Sequence, residues 1–216
     1  MFVCLASLYA LTGGGHTYSY DEETMFALTE SLVERGSVEI PHCAPCLIIG
    51  SNPAPGGRSY SRYGPLQSLA AVPLYAVGRL VAGEDSVARW VTTRFFAVLL
   101  NPLVAAATAT VLYGLARSLA YGPRVALATA LLYGLGSQAW PRAKTFFAEP
   151  LTTLLLLGAV ACWWQLERAR GSAAGWRWRP SGARPSRCRS SGWRAPSRCC
   201  AGGGVGSRRP PRSRSR

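Results

Sequence analysis

Three acidic and four basic positions stand where a reaction at a membrane edge could use them. Asp21 and Glu22 follow one apolar run, Glu149 sits at the lip of another, Arg142 and Lys144 share a short segment with Glu149, and Arg58 and Arg62 lie upstream. A carboxylate so placed can take a proton from an attacking hydroxyl, and guanidinium or ammonium groups can pair with a phosphate. A second carboxylate could orient an acceptor or hold a divalent ion. The same residues also have plainer uses. Acids suit helix starts, where open N–H groups and the positive dipole end receive them, and Pro150 is itself a favoured helix-start residue. Arg142 and Lys144 equally suit lipid headgroups beside a membrane span. Tyr18, Tyr20, Tyr60 and Tyr63 could stack on a sugar ring, yet tyrosines are common at a membrane interface without any ligand. Cys43 and Cys46 form a lone C-x-x-C next to His42, with no second pair and no βαβ context, which speaks against zinc or redox chemistry.

The elements that must position these residues are read from the alternation of apolar runs and charge clusters. Residues 1–12 are apolar and uncharged after the initiator, but twelve helical residues rise only about 18 Å, so this segment is expected to be the outer end of a first membrane helix. A signal peptide is the rival, lacking here a basic n-region and a clean cleavage site. Asp21 to Arg35 reads as an amphipathic helix with Met25, Leu28, Leu32 and Val33 on one side and Glu22, Glu23, Glu30 and Glu34 on the other, ended by Gly36. Residues 41–60 are expected to be loop from their Pro and Gly content. Residues 65–82 are apolar but carry Pro73, Gly78 and Arg79, which favours a helix lying along the membrane surface. Three better spans follow: Phe95 to Ala116, with Asn101-Pro102 as a tolerated kink, then Val125 to Trp140, then Leu151 to Leu166.

Charge placement orients these spans. Arg117 and Arg124 bracket one short connection, and Arg168 and Arg170 follow the last span, so both belong on the cytoplasmic side by the positive-inside rule. Residues 141–149 and the segment before Phe95 then face outward. With residues 65–82 along the outer surface, Asp21 and Glu149 stand above the same leaflet, whereas a spanning 65–82, which Arg89 and Arg94 just before the next span would suit, puts them on opposite sides. The expectation is an all-α, multi-pass protein of the inner (plasma) membrane, with residues 13–94 as an outer loop and 95–170 as three membrane helices.

Beyond that region the composition breaks. Residues 171–216 hold 12 Arg and no acid, leaving 12 basic against 10 acidic residues before them, so the net charge of +14 belongs mostly to the tail. The tail has no apolar period and is expected to be disordered. A shifted reading frame in a GC-rich gene would produce such a break, and the nucleotide sequence across codon 170 tests it. Nonspecific attraction to phosphates follows from the arginines, but no recognition motif marks a specific nucleic-acid partner.

The segments YSYDEETMFALTESLVERG, SRYGPLQSLAAVPLYAVGRL and WPRAKTFFAEPLTTLLLL resemble the N-terminal part of the polyprenyl-phosphate-sugar-dependent membrane glycosyltransferases. These form the protein O-mannosyltransferase and aminoarabinose-transferase-like superfamily, with a GT-C helical bundle, and the resemblance covers roughly residues 1–168. It implies a catalytic acid at Asp21 with Glu22 as neighbour, and Glu149 as the acid of the second outer loop. It also implies a polyprenyl-phosphate-linked sugar as donor, an acceptor of unspecified kind on the outer face, and inverting transfer. Arg142, Lys144, Arg62 and Arg58 are then the candidates to hold the departing phosphate. No cofactor is expected, with a divalent ion at the second carboxylate as the one alternative. Members of that superfamily are much longer, with many more helices, so this chain is expected to be a fragment inactive in transfer. The rival reading is a small non-enzymatic membrane protein or a transporter fragment. Acids serving transport would lie within the bilayer, whereas Asp21 and Glu149 stand at span ends.

Overall fold

The apolar runs fold as helices in the computed structural model, which describes residues 1–40, 51–53 and 58–173. In chain order the elements are α1 (Phe2–Thr12), α2 (Tyr20–Glu34), β1 (Glu39–Ile40), β2 (Ser51–Pro53), β3 (Ser59–Ser61) and α3 (Leu66–Ala82). There follow α4 (Ser86–Val98), α5 (Leu100–Ser118), α6 (Pro123–Gly136), α7 (Ala139–Ala143) and α8 (Glu149–Ala173). The expectations for the tail beyond residue 173, and for His42, Cys43 and Cys46, lie outside the described residues.

Local chemistry explains most helix boundaries. Ser19 caps α2 by accepting the Glu22 backbone N–H, and Glu22 reaches back to the Ser19 hydroxyl and the Tyr18 N–H, a capping-box arrangement. Gly36, at φ +61, follows the last turn in the left-handed region that glycine tolerates best. Asp85 caps α4 by accepting the N–H groups of Val87 and Ala88. The break between α4 and α5 falls at Leu99 because Pro102 has no N–H for the Val98 carbonyl and its ring crowds that oxygen.

Two buried clusters hold these helices together. In one, Leu5, Ala6 and Tyr9 of α1 meet Ala105, Ala106 and Ala109 of α5 and Ala143 of α7. Small side chains let the backbones approach closely and gain dispersion contacts. The Tyr9 hydroxyl donates to the Gly134 carbonyl of α6 at 2.8 Å. The second cluster gathers Met25 and Phe26 of α2, Ala71 and Tyr75 of α3, Ala97 and Val98 of α4, and Phe146 from the turn before α8. Here α3 and α4 form a hairpin whose crossing needs Gly78, since a Cβ there would lie 2.8 Å from the Thr92 carbonyl oxygen. Arg79 pairs with Glu34 of α2 at 2.9 Å.

Several expectations change. The stretch expected to be loop, residues 41–60, contains β2 and the first two residues of β3, and β3 pairs antiparallel with β1 and β2 in the order β1-β3-β2. Backbone pairing of Tyr60 with Glu39 and Asn52 outweighs the local turn signals. The α2 helix is less amphipathic than its charge pattern indicates, because Glu22 and residues 24–29 are all buried. Phe95 to Ala116 falls within Ser86–Ser118, 33 residues that are long and apolar enough to cross a membrane. By contrast, the segment expected to span from Val125 to Trp140 is interrupted at Ser137, leaving 14 residues in α6, about 21 Å of rise against a hydrocarbon core of about 30 Å. The described chain is thus predominantly helical, with one helix fit by length and composition to span a membrane.

The helix directions sort the charges. Thr12 at the end of α1 receives the Trp140 indole N–H at 3.2 Å, and Asn101 at the start of α5 bonds the Thr145 and Phe147 carbonyls just before α8. At the other end Arg168 of α8 bonds the Ser118 carbonyl closing α5. The bundle therefore has one end bearing Asp21, Glu22, Glu23 and Glu149 together with Arg94, Arg142 and Lys144, and an opposite end bearing Arg117, Arg124 and Arg168 with Glu167.

Candidate functional site at the acid-bearing end

The site is organised around residues 145–147, a short strap between α7 and α8. Glu22 is fully buried, and its Oε2 accepts the Phe146 N–H at 2.9 Å. From the other side the Asn101 amide donates to the carbonyls of Thr145 at 2.6 Å and Phe147 at 2.8 Å, while its own oxygen accepts Gln67 Nε2 at 2.9 Å. With both carbonyls and the intervening N–H engaged, the strap is clamped between α2 and α5. Unmade bonds of buried polar groups are expensive, so such a network fixes geometry. Phe146 itself is fully buried in the second cluster.

This clamp settles how the two acidic segments relate. Glu22 carries both the cap of α2 and the tie to the strap, and burial pushes its carboxyl up from the ordinary range, opposed by the N–H groups of Phe146 and Tyr18 and the Ser19 hydroxyl. Its oxygens are thus occupied and shielded from any substrate. Of the pair expected to act together, Asp21 is the one that remains partly exposed. It interacts with the Tyr63 phenol, whose own pKa is raised by desolvation first and by Asp21 second, with Arg62 opposing.

On the strap's far side Arg142 pairs with Glu149 at 3.2 Å, both side chains about half exposed at 46% and 56%. A pair that open is worth roughly 0–1 kcal/mol, so an incoming anion could exchange with Glu149 at little cost. Arg142 also lies over the Phe147 ring and Lys144 over Trp140, with no carboxylate partner for Lys144 among the described residues. Glu149 is the first residue of α8, so its helix-start role and its place at the site coincide. Arg58 stands exposed before β3 and makes no hydrogen bond or ion pair among the described residues. The structure thus brings Asp21, Arg62 and Tyr63 together, and separately Arg142 and Glu149, and it leaves Arg58 apart.

Three contributors carry little signal in the sequence. Arg94 forks onto Glu23 at 3.1 Å while its guanidinium rests over the rings of Phe26 and Trp90. Asn101 and Gln67 look like stray polar residues in apolar runs, although most buried amides find partners; Asn101 uses both its ends, whereas Gln67 donates to Asn101 and its own oxygen has no partner among the described residues. Ser19 with Glu22 did carry a signal, the spacing of a capping box. Among the described residues no three of His, Cys, Asp and Glu gather closely enough to hold a metal ion. No family model matches this chain, and no curated protein or solved structure matches it.

Proposed function

We propose that this chain forms the acid-bearing outer portion of a membrane glycosyltransferase that uses a polyprenyl-phosphate-linked sugar. The observation that carries the reading is the Glu22 to Phe146 bond, which joins the segment of Asp21 to the segment of Arg142, Lys144 and Glu149 at one end of the bundle. In the proposed reaction an acceptor hydroxyl oxygen forms a bond to the anomeric carbon, with inversion, as the bond from that carbon to the phosphate oxygen breaks. The hydroxyl proton passes to the Asp21 carboxylate, and the electron pair leaves with the polyprenyl phosphate, whose charge is met by Lys144 and by Arg142 released from Glu149.

Membrane placement has its own support. Leu132, Leu156 and Trp163 are 69%, 65% and 61% exposed on α6 and α8, an apolar surface of the kind that faces lipid or further helices. The separation of Arg117, Arg124 and Arg168 from the acidic end fits a cytoplasmic basic end.

Binding is the first readout. Titration of the detergent-solubilised chain with a short-chain polyprenyl phosphate should saturate, and the double variant Arg142→Gln, Lys144→Gln should weaken binding at least tenfold while Asp21→Asn leaves it nearly intact. Binding that is absent, or indifferent to the double variant, would remove the donor site and the reading with it.

A further inference from the structure

At the opposite, basic end an open groove of about 340 Å³ lies between Met1, Tyr113, Pro123, Arg124 and Leu127. Its walls are largely apolar, and Arg124 supplies its charge. The volume sits at the low end of ligand sites, which run from about 300 to 1,000 Å³, enough for part of one hydrocarbon chain. Arg117 follows Tyr113 by one helical turn on the same face of α5, and Arg124 opens α6 three residues before Leu127. The connection between these helices is held by two guanidinium groups: Arg117 donates to the Tyr121 carbonyl and Arg168 to the Ser118 carbonyl, each at 2.7 Å. Each spends one of five N–H donors there. None of Arg117, Arg124 and Arg168 pairs with a carboxylate among the described residues. Tyr121, 55% exposed, stands on the same turn, the usual place of an interfacial aromatic.

We propose that this groove holds one acyl chain of an anionic phospholipid, with the lipid phosphate received by Arg124 and Arg117. Apolar walls leading to unpaired cations fit an amphiphile with a negative headgroup, whereas a free phosphate would leave the walls in water. The basic end faces the leaflet surface whose anionic lipids attract clustered arginines. This site rests on the membrane placement proposed above and not on sugar transfer, since it lies at the other end of the bundle from Asp21.

The full chain reconstituted into vesicles tests it, with phosphatidylglycerol or phosphatidylcholine each carrying a photoactivatable group on one acyl chain. Labelling should map to the peptides bearing Tyr113 and Leu127, with phosphatidylglycerol favoured at least fivefold. Arg124→Gln should erase that preference, and Leu127→Trp, which fills the groove without changing charge, should abolish labelling there. Equal labelling by the two lipids, labelling undiminished in Leu127→Trp, or its displacement by inorganic phosphate would overturn the site. Failure of the chain to co-float with either vesicle would overturn the membrane placement and the site together, whereas co-flotation without selective labelling sinks the site alone.

Discussion

Glu22 illustrates how one carboxylate can be claimed by structure while its neighbour Asp21 stays partly exposed. Removing it with Glu22→Ala strands the buried N–H of Phe146, at a cost of about 1–3 kcal/mol, whereas the Tyr18 N–H, on an exposed residue, can turn to water; chemical unfolding in detergent measures the loss. Glu22→Gln keeps an acceptor for Phe146 but cannot ionise. Because burial raises the folded-state pKa of Glu22, the folded chain holds a proton that the unfolded chain has released once pH passes the ordinary carboxylate value. Stability attributable to Glu22 therefore falls as pH rises through that window and is flat on either side. The difference in midpoint between wild type and Glu22→Gln should trace this slope, and parallel pH curves would show that Glu22 stays ionised in the fold. Asn101→Leu is the companion experiment. It frees the Thr145 and Phe147 carbonyls and the Gln67 amide, so hydrogen exchange should speed up in the strap at Phe146 and Phe147 while α6 keeps its protection.

At the scale of elements, close approach is set by glycines with defined neighbours. Gly78→Val would drive a side chain into the Thr92 carbonyl and the Thr93 Cα, 2.8 and 2.9 Å from the first added carbon. Backbone cannot yield as a side-chain tip does, so the α3–α4 hairpin should open at a cost of about 1–3 kcal/mol, seen as a lowered unfolding midpoint. Gly36→Ala makes a useful contrast, since nothing lies within 4 Å of its added carbon. There only the left-handed backbone is strained, at about 1–2 kcal/mol, and α2 should keep its exchange protection.

For the molecule as a whole, the placement of Asp21 and Glu149 at one end and of Arg117, Arg124 and Arg168 at the other makes a topological prediction. In a cysteine-free background, single cysteines replacing Tyr20 and Ser137 should react with an impermeant maleimide from one side of a sealed vesicle, and a cysteine replacing Tyr121 only from the other. All three positions are exposed, so access and not burial is what the reagent reports. Labelling of Tyr20→Cys and Ser137→Cys from opposite sides would separate the two acidic segments and remove the proposed site. The Ser86–Ser118 segment, 33 residues long, rises about 50 Å, more than a bilayer core requires. In the proposed placement the apolar stretch beginning at Phe95 meets the lipid, and the turns of α4 before it extend past the hydrocarbon on the side of Asp21.

Much of this was legible in the chain itself, because helix starts and stops are local. Ser19 with Glu22, Asp85, Gly36 and Pro102 each act within four residues on backbone groups that any reader can count. Apolar runs likewise announced where helices would form, since burying a face needs only the right period. What the tertiary structure alone decided is which buried polar groups meet. Glu22 and Phe146 stand 124 positions apart and Asn101 and Thr145 stand 44 apart, and periodicity specifies a face without naming the partner that covers it. The strands were hidden for another reason: β2 and β3 pair with each other only 6 to 10 positions apart, and β3 with β1 19 to 21 positions back, but the Pro and Gly content of this stretch reads as loop. Val125 to Trp140 is cut short by a break at Ser137. Local propensity acts along the chain, whereas desolvation punishes every unpaired group wherever its partner lies, and only a folded chain can balance that demand.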